Sequence, residues 1–310
     1  MKRFLISAAV CALAATTAHA ENIGIAIARS DSAFLTILRS GMEGRAAELA
    51  KVTVQVEDAQ NDPSRQLDQV QNLISAGVDA IVVVAVDGDG TPAITKLASE
   101  AKIPVVYANH PPADVDSLPE TAAFVGSNEL DSGTIQTKEV CKLLGGKGDL
   151  FVLMGPLNNH SSLTRTKDIH DVIASADCKG VKVIEEQSAN WDRLEATNIM
   201  TNWLSAGTRF DAVIANNDEM AIGAIQAMKS TGVDMSKVVV AGIDATPDGL
   251  AAMAQGDLDV TVFQNAVAQG AAAMDAAVAL ARGEKTERHI WVPFELVTPQ
   301  NMKDYAKANQ

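Results

Sequence analysis

The sequence predicts an α/β protein made of two lobes, each built on a doubly wound parallel sheet. Short apolar segments alternate with segments of helical periodicity along the chain, as expected when helices connect parallel strands. The 310 residues are 47% hydrophobic but only 4% aromatic, which suits a core of aliphatic side chains in buried strands. The apolar segments are too many for one open sheet. A first crossing between two sheets is therefore expected near 126–130.

The predicted elements follow in a regular order. Strands are predicted at NIGIAIA, KVTVQVED, DAIVVVA, IPVVYA and TAAFVG, then at LFVLMG, VKVIEE, FDAVIA, VVVAGI, VTVF and HIWVPF. Helices are predicted over 34–50, 63–76, 91–101, 129–144 and 266–282, and from Leu163, Asp192, Asp218, Pro247 and Pro299. Pro63 fits the first turn of its helix, where a backbone N–H has no intrahelical partner.

The first twenty residues have the pattern of a cleavable signal peptide. A basic MKR precedes an apolar segment, and Ala18-His19-Ala20 forms a small-x-small cleavage site. We expect export to the periplasm and a mature chain that begins at Glu21; the alternative is a retained N-terminal anchor. The net charge of −14 becomes −16 after cleavage, from 23 basic and 39 acidic residues. This charge argues against nucleic acid and anionic membranes as partners.

Two cysteines remain in the predicted mature chain, Cys141 and Cys178. An oxidising compartment permits a disulfide between them. Two buried free thiols are equally compatible with the sequence, because the distance between the sulfur atoms decides the matter.

Polar side chains recur where predicted strands end. Asn109 and His110 follow IPVVYA, Asn217 follows FDAVIA, Asp244 follows VVVAGI, and Gln264 ends VTVF. In open α/β sheets, ligands bind beyond the carboxyl ends of the strands. Carboxylates accept hydrogen bonds and amides both donate and accept them, so this set predicts a site for a polyhydroxylated ligand. The neighbouring Asp218 is expected to cap a helix.

Two longer segments carry a family resemblance. NNDEMAIGAIQAM and VVVAGIDATPDGLAAMAQGDLDVTVFQN resemble the periplasmic sugar-binding proteins of the ribose-binding type, and the resemblance extends over 22–299. It implies two lobes joined by three hinge crossings, 21–127 with 265–292 and 128–264 with 293–310. It also implies that a sugar binds in the cleft, that the lobes close, and that the protein, a monomer without catalytic activity, delivers its ligand to a membrane ABC permease.

The resemblance assigns roles in the first lobe. Phe34 matches an aromatic that stacks on the sugar ring, whereas the next family aromatic is Leu35 here. Ser32 stands where the family often has Asn. Asn109 and His110 stand where ribose binders carry Asp and Arg, so a buried charge pair is replaced by neutral groups.

In the second lobe, Arg165, or Lys167 nearby, matches the family arginine, and Trp191 matches the opposite stacking aromatic. Three more residues match directly: Asn217, Asp244 and Gln264. The segment NNHSS at 158–162 is a further candidate, through Asn159 or His160, unless it is an exposed loop. No metal or other cofactor is implied.

Three further matches bear on the ligand class. HIWVPFELVTPQNM, RTKDIHDVI and Asn109 resemble the binders of cyclic polyols, namely myo-inositol and the amino-inositol rhizopines, more than those of ribose. An amine on the ligand would require a carboxylate, and Asp244 is the candidate. Ribose or another monosaccharide is the alternative within the same class.

One alternative of a different class is an enzyme. Asp87-Gly88-Asp89-Gly90-Thr91 after an apolar strand resembles the nucleophile loop of haloacid-dehalogenase-type phosphatases, where the two acids would bind Mg²⁺. The motif follows the third strand, far from the mature N-terminus, and this position weighs against the enzyme. A lactose-repressor-type regulator would need a helix-turn-helix where the signal peptide stands.

Overall fold

The computed structural model describes residues 20–309, so the predicted signal peptide lies almost wholly outside the described part. Twelve strands are present in these residues. In chain order they are β1 Glu21–Ile27, β2 Val52–Asp58, β3 Ala80–Val83, β4 Val105–Ala108, β5 Ala122–Gly126, β6 Lys147–Met154, β7 Gly180–Ser188, β8 Ala212–Ala215, β9 Val239–Ala241, β10 Thr261–Gln264, β11 His289–Trp291 and β12 Phe294–Val297.

Nine α-helices connect or follow these strands in the described residues, and none is long and apolar enough to cross a membrane. In chain order they are α1 Ala33–Glu48, α2 Pro63–Ala76, α3 Thr91–Ala101, α4 Glu129–Leu143, α5 His160–Ile173, α6 Arg193–Ser205, α7 Asp218–Ser230, α8 Pro247–Ala254 and α9 Ala266–Ala281. All but α3 begin at a residue whose side chain caps the helix.

The strands form two separate parallel sheets, as the sequence predicts. The first has six strands in the order β11-β5-β4-β3-β1-β2, and the second has four in the order β7-β6-β8-β9. A bridge from Ala241 of β9 to Val260 and one from Asp244 to Phe263 connect the second sheet to β10, which begins after Val260 and pairs antiparallel with β12. Because helices cover the sheets, β3 and β4 are buried along their whole length and consist of Ala, Val, Ile and Tyr.

The chain passes between the two sheets three times, which confirms the predicted architecture. The first passage leads from β5 into α4, the second from β10 into α9, and the third from β11 into β12. Helix α9 returns to pack on α1 and on the first sheet. Because Gln264 and Phe294 are partners in the β10–β12 pair, the second and third passages lie side by side.

Three local predictions were wrong. The predicted strand HIWVPF is two strands in different sheets, because Pro293, which lacks an N–H, falls between them. The helix predicted from Pro299 is only a 3₁₀ turn at Met302–Tyr305. Helix α5 begins three residues before Leu163, because the side chain of Asn159 accepts a hydrogen bond from Ser162 N and caps it there.

Candidate functional site

One cavity of about 130 Å³ lies between the carboxyl ends of the two sheets. Phe34 and Trp191 are among its walls, one from each side. All nine predicted site residues line it: Ser32, Phe34, Asn109, His110, Arg165, Trp191, Asn217, Asp244 and Gln264. The fold thus brings together residues that span more than 230 positions of the sequence. Their contact with a ligand stays a prediction.

The first sheet contributes neutral polar groups after β4. Asn109 is in the left-handed region (φ 63°), which Asn tolerates better than most residues. Its Nδ2 donates to Gln269 Oε1 at 3.0 Å, and Gln269 Nε2 donates to Ser127 Oγ at 2.8 Å. This fixes the amide orientation and leaves Asn109 Oδ1 as an acceptor.

His110 is held by a backbone contact. Its Nδ1 lies 2.6 Å from the carbonyl oxygen of Ala85, and burial lowers its pKa below the ordinary value. A neutral ring beside a carbonyl must donate from Nδ1, so Nε2 is an acceptor. The pair Asn109 and His110 therefore offers acceptors without charge to this side of the cavity.

Arg165 is the cation of the opposite side, and its guanidinium is already extensively bonded. Nε and Nη2 donate to the two carboxylate oxygens of Glu129 at 2.8 and 3.2 Å. Nη1 donates to Asn216 O at 2.8 Å, and Nη2 also donates to Gln264 Oε1 at 3.3 Å. Of five guanidinium N–H groups, one remains for a ligand. Lys167, the alternative candidate, is exposed and pairs with Asp171.

Asp244 is the acid of the cavity lining whose carboxylate has no partner among the described residues. It is 3% exposed, and its carboxylate has neither an ion pair nor a hydrogen bond with any residue of the described chain. Burial raises its pKa well above the ordinary value; Arg165 opposes this and Asp218 adds to it. The backbone is in an unusual conformation (φ 123°), held by Asp244 N to Val262 O and by Asn309 Nδ2 to Asp244 O.

Asn217, and not Asp218 as the sequence predicts, caps α7. Asn217 Oδ1 accepts from Met220 N at 3.0 Å, so Asn217 caps α7 and keeps its Nδ2 for other contacts. Asp218 is fully buried in the first turn of α7. It accepts from Thr246 N at 2.9 Å and from Thr261 Oγ1 at 2.7 Å. The prediction that Asp218 is the cap was wrong. Through Thr246 and Thr261, Asp218 holds in place the segments that carry Asp244 and Gln264.

Several buried polar atoms of the cavity lining have no hydrogen-bond partner in residues 20–309. They are Ser161 Oγ, Trp191 Nε1 and Gln264 Nε2. Buried polar atoms are satisfied in most proteins, and a set of such atoms around one cavity indicates a polar occupant. The Trp191 ring packs against Gly155, where any Cβ would clash with it, so Gly155 makes room for this wall.

Sequence reasoning missed three other polar lining residues, Arg29, Asn61 and Asn190, whereas Asn158 and Ser161 belong to the candidate segment 158–162. A signal for Asn61 existed. The segment Ala59–Asp62 after β2 and the segment Ala189–Asp192 after β7 both read Ala-x-x-Asp, both place the middle residues at positive φ, and both end in a helix cap. The two loops occupy equivalent places in the two halves, so Asn61 corresponds to Trp191. Asn159 also lines the cavity, whereas the alternative His160 is exposed.

Two open questions from the sequence have structural answers. Cys141 and Cys178 form a disulfide, which ties α4 to the turn before β7 and does not border the cavity. In the loop after β3, Asp87 Oδ1 accepts a hydrogen bond from Asp89 N at 2.9 Å, as in an ordinary turn. Neither acid lines the cavity, and residues 20–309 contain no group of three acids, histidines or cysteines able to hold a metal.

Comparison with known proteins gives a family match. A model described as periplasmic binding protein domain matches residues 23–285. The chain is 56% identical over its whole length, and over the whole length of the relative, to a putative rhizopine-binding protein of Rhizobium meliloti. It is 34% identical to a xylitol-binding protein of Mycolicibacterium smegmatis, covering 94% of this chain and 82% of that one.

Solved structures with the same fold include two with a bound cyclitol. An ABC transporter solute-binding protein from Bacillus halodurans with bound myo-inositol is 42% identical and superposes with a TM-score of 0.88, over 94% of this chain and 99% of that one. A Caulobacter myo-inositol-binding protein with bound myo-inositol is 28% identical with a TM-score of 0.85, over 93% and 96% of the two chains.

Proposed function

The chain belongs to the periplasmic binding protein family, and we propose that it captures a small cyclic polyol, an inositol or an amino-inositol, in the cavity between its two sheets. One observation carries the proposal. The cavity between the sheets has aromatic walls and combines neutral acceptors, an arginine and an unpaired carboxylate, which together suit a ring that bears hydroxyl groups.

Eight of the nine predicted site residues would divide the recognition between ring faces and hydroxyls. Phe34 and Trp191 would cover the apolar C–H faces of the ring. Asn109, His110 and Asn217 would exchange hydrogen bonds with hydroxyl groups, and Ser32, Arg165 and Gln264 would complete the shell. Each such group left unpaired in a dry cleft costs about 1–3 kcal/mol, so a ligand that lacks a matching hydroxyl binds less tightly.

The ligand proposal also draws on the relatives. The rhizopine-binding relative and the two structures with bound myo-inositol are similar over nearly the whole chain. An amino group on the ring would pair with Asp244, whose carboxylate has no other partner among the described residues. Ribose or another monosaccharide is the alternative, but the neutral Asn109 and His110 favour a ligand other than ribose.

The proposed cycle is capture, closure and delivery. The segments 21–127 with 265–292 would form one lobe and 128–264 with 293–310 the other, and ligand binding would shift the population toward the closed arrangement. A cleaved signal peptide would bring the protein, as a monomer, to the periplasm. An ABC permease would receive the ligand there, with no cofactor and no catalytic step.

Titration of the mature chain tests the proposal against both alternatives. Tryptophan fluorescence would be followed with myo-inositol, an inosamine, ribose and galactose, each with and without EDTA. Saturable binding of a cyclitol that is indifferent to EDTA is expected, and Trp191→Phe should remove most of the signal. Binding of ribose alone would favour the monosaccharide alternative. Mg²⁺-dependent release of phosphate from a sugar phosphate, lost in Asp87→Asn, would favour the phosphatase.

A further inference from the structure

Glu129 is a buried acid that neither the sequence patterns nor the cavity lining identifies. It is the first residue of α4, follows the first passage between the sheets, and is 6% exposed. A carboxylate is favourable there because it lies at the positive end of a helix dipole. Ser132 Oγ donates to its Oε2 at 3.2 Å, which helps to hold the side chain in one orientation.

The partner of Glu129 connects all three passages between the sheets. Arg165 contacts Glu129 at the first passage and Gln264 at the second, and its guanidinium carbon lies 5.8 Å from the ring centre of Phe294 at the third. The same carbon lies 5.5 Å from the ring centre of Trp191 in the cavity wall. Since the Glu129 and Arg165 side chains are only 6% and 5% exposed, solvent screens their attraction weakly.

The ion pair also determines which acid stays available to a ligand. Arg165 and Asp244 are close enough to influence each other's ionisation, yet the ion pair within 4 Å is with Glu129. If Glu129 did not balance the charge of Arg165, Asp244 would be the next acid able to do so. Glu129 therefore leaves Asp244 free, and one N–H of Arg165, which lines the cavity, keeps no partner among the described residues.

From these contacts we propose that Glu129 is a positioning residue that acts through Arg165 and sets both the affinity of the cavity and its preference for a cationic over a neutral cyclitol. The inference rests on the proposed function, because it takes the cavity as the ligand site. It assigns to Glu129 no contact with the ligand itself.

A double-mutant cycle on the full mature chain tests whether Glu129 acts through Arg165. Calorimetry would give the dissociation constants of myo-inositol and of an inosamine for wild type, Glu129→Gln, Arg165→Met and the double variant. We expect Glu129→Gln to weaken myo-inositol binding about tenfold or more, and to weaken it less than about twofold when Arg165 is already Met. The inosamine should lose more than myo-inositol, since Asp244 would then pair with Arg165 and would no longer be free for an ammonium group.

Two further variants serve as controls, one for the loss of an acid on α4 and one for folding. Glu139→Gln removes another acid of α4 that pairs with Lys142 outside the cavity, and should change neither constant. Glu129→Asp keeps the charge on a shorter side chain and should bind both ligands with intermediate affinity. It replaces Glu129→Gln in the cycle if Glu129→Gln does not fold.

The inference would be overturned if Glu129→Gln changed the dissociation constants equally in wild type and in Arg165→Met. It would also be overturned if Glu129→Gln left the ratio of the inosamine and myo-inositol dissociation constants unchanged. Wild type that binds neither cyclitol would instead overturn the proposed function, so the two failures are distinguishable.

Discussion

The two walls of the cavity differ in how they use charge. The wall from the first sheet places neutral groups after β4, and each is held by a contact with its own half: Asn109 through Gln269, His110 through Ala85. The wall on the side of the second sheet contains the buried Arg165 and Asp244, and Glu129 pairs with Arg165 behind it. Of these three ionisable groups, only Asp244 has no partner within the described chain. The difference suggests that the first wall fits the shape of a polyol while the second discriminates by charge.

The largest expected effect is on stability, and it separates the stability of the second half from ligand binding. Replacing Cys141 and Cys178 by Ser should lower the free energy of unfolding by about 3 kcal/mol, because the disulfide closes a loop in the unfolded chain. Affinity for myo-inositol should not change, since the disulfide does not border the cavity. Urea denaturation and calorimetry measure the two quantities. A large loss of affinity in the folded variant would mean that this region shapes the cavity.

Neutralising Asp244, the unpaired acid of the second wall, should remove the preference for an inosamine over myo-inositol. Asp244→Asn should weaken inosamine binding by about 2–3 kcal/mol, because a charge-assisted hydrogen bond is lost, and should weaken myo-inositol binding less. Asp248→Asn is the matched control, because Asp248 is an exposed acid that pairs with Arg193 outside the cavity. If calorimetry shows equal losses of affinity for the two ligands, Asp244 does not distinguish a charged from a neutral ligand.

Asn217 should contribute to both stability and binding. Asn217→Ala removes the cap of α7 and should cost about 1 kcal/mol of stability. It should also weaken polyol binding about tenfold through the lost amide. Asn217→Asp keeps the capping oxygen without the N–H groups, so it should keep most of the stability and still bind weakly. If Asn217→Asp binds as wild type, the amide N–H makes no contact with the ligand.

The smallest effect on affinity is expected for an acid that titrates outside the cavity. Burial, with Asp171 nearby, raises the pKa of Asp168 from 3.8 to about 7. The folded state therefore holds a proton that the unfolded state has lost, and this contribution to stability declines as pH rises from about 4 to about 7. Asp168→Asn should flatten the pH dependence of urea midpoints over that range and leave affinity unchanged. An unchanged slope would mean that Asp168 is ionised in the folded protein.

Much of the fold could be predicted because its signals are local. Helix α2 begins at Pro63 and ends before Gly77, which adopts the left-handed conformation, and both boundaries can be read from the sequence. The C-terminal segment could not, because its structure depends on a distant contact. The buried side chain of Asn309 accepts from Ala266 N and donates to the carbonyls of Asp244 and Gln264, so the segment docks against the second passage in place of continuing as a helix.

The site was predictable where residues follow strands or match a family pattern. Asn109, Asn217, Asp244 and Gln264 each stand at a strand end, which the topology of a parallel sheet brings to one edge. Glu129 has no such signal, because its partner lies 36 residues away and the ion pair exists only after both lie between the sheets. Asn61 was overlooked although its loop repeats that of Trp191, since the repeat is in backbone conformation more than in sequence.

The most direct measurement is a calorimetric titration of the mature chain at pH 7 with an inosamine, with myo-inositol and with ribose. We expect one saturable site for each cyclitol, tighter binding of the inosamine, and competition between the two. Absence of binding by both cyclitols, with saturable binding of ribose, would contradict it.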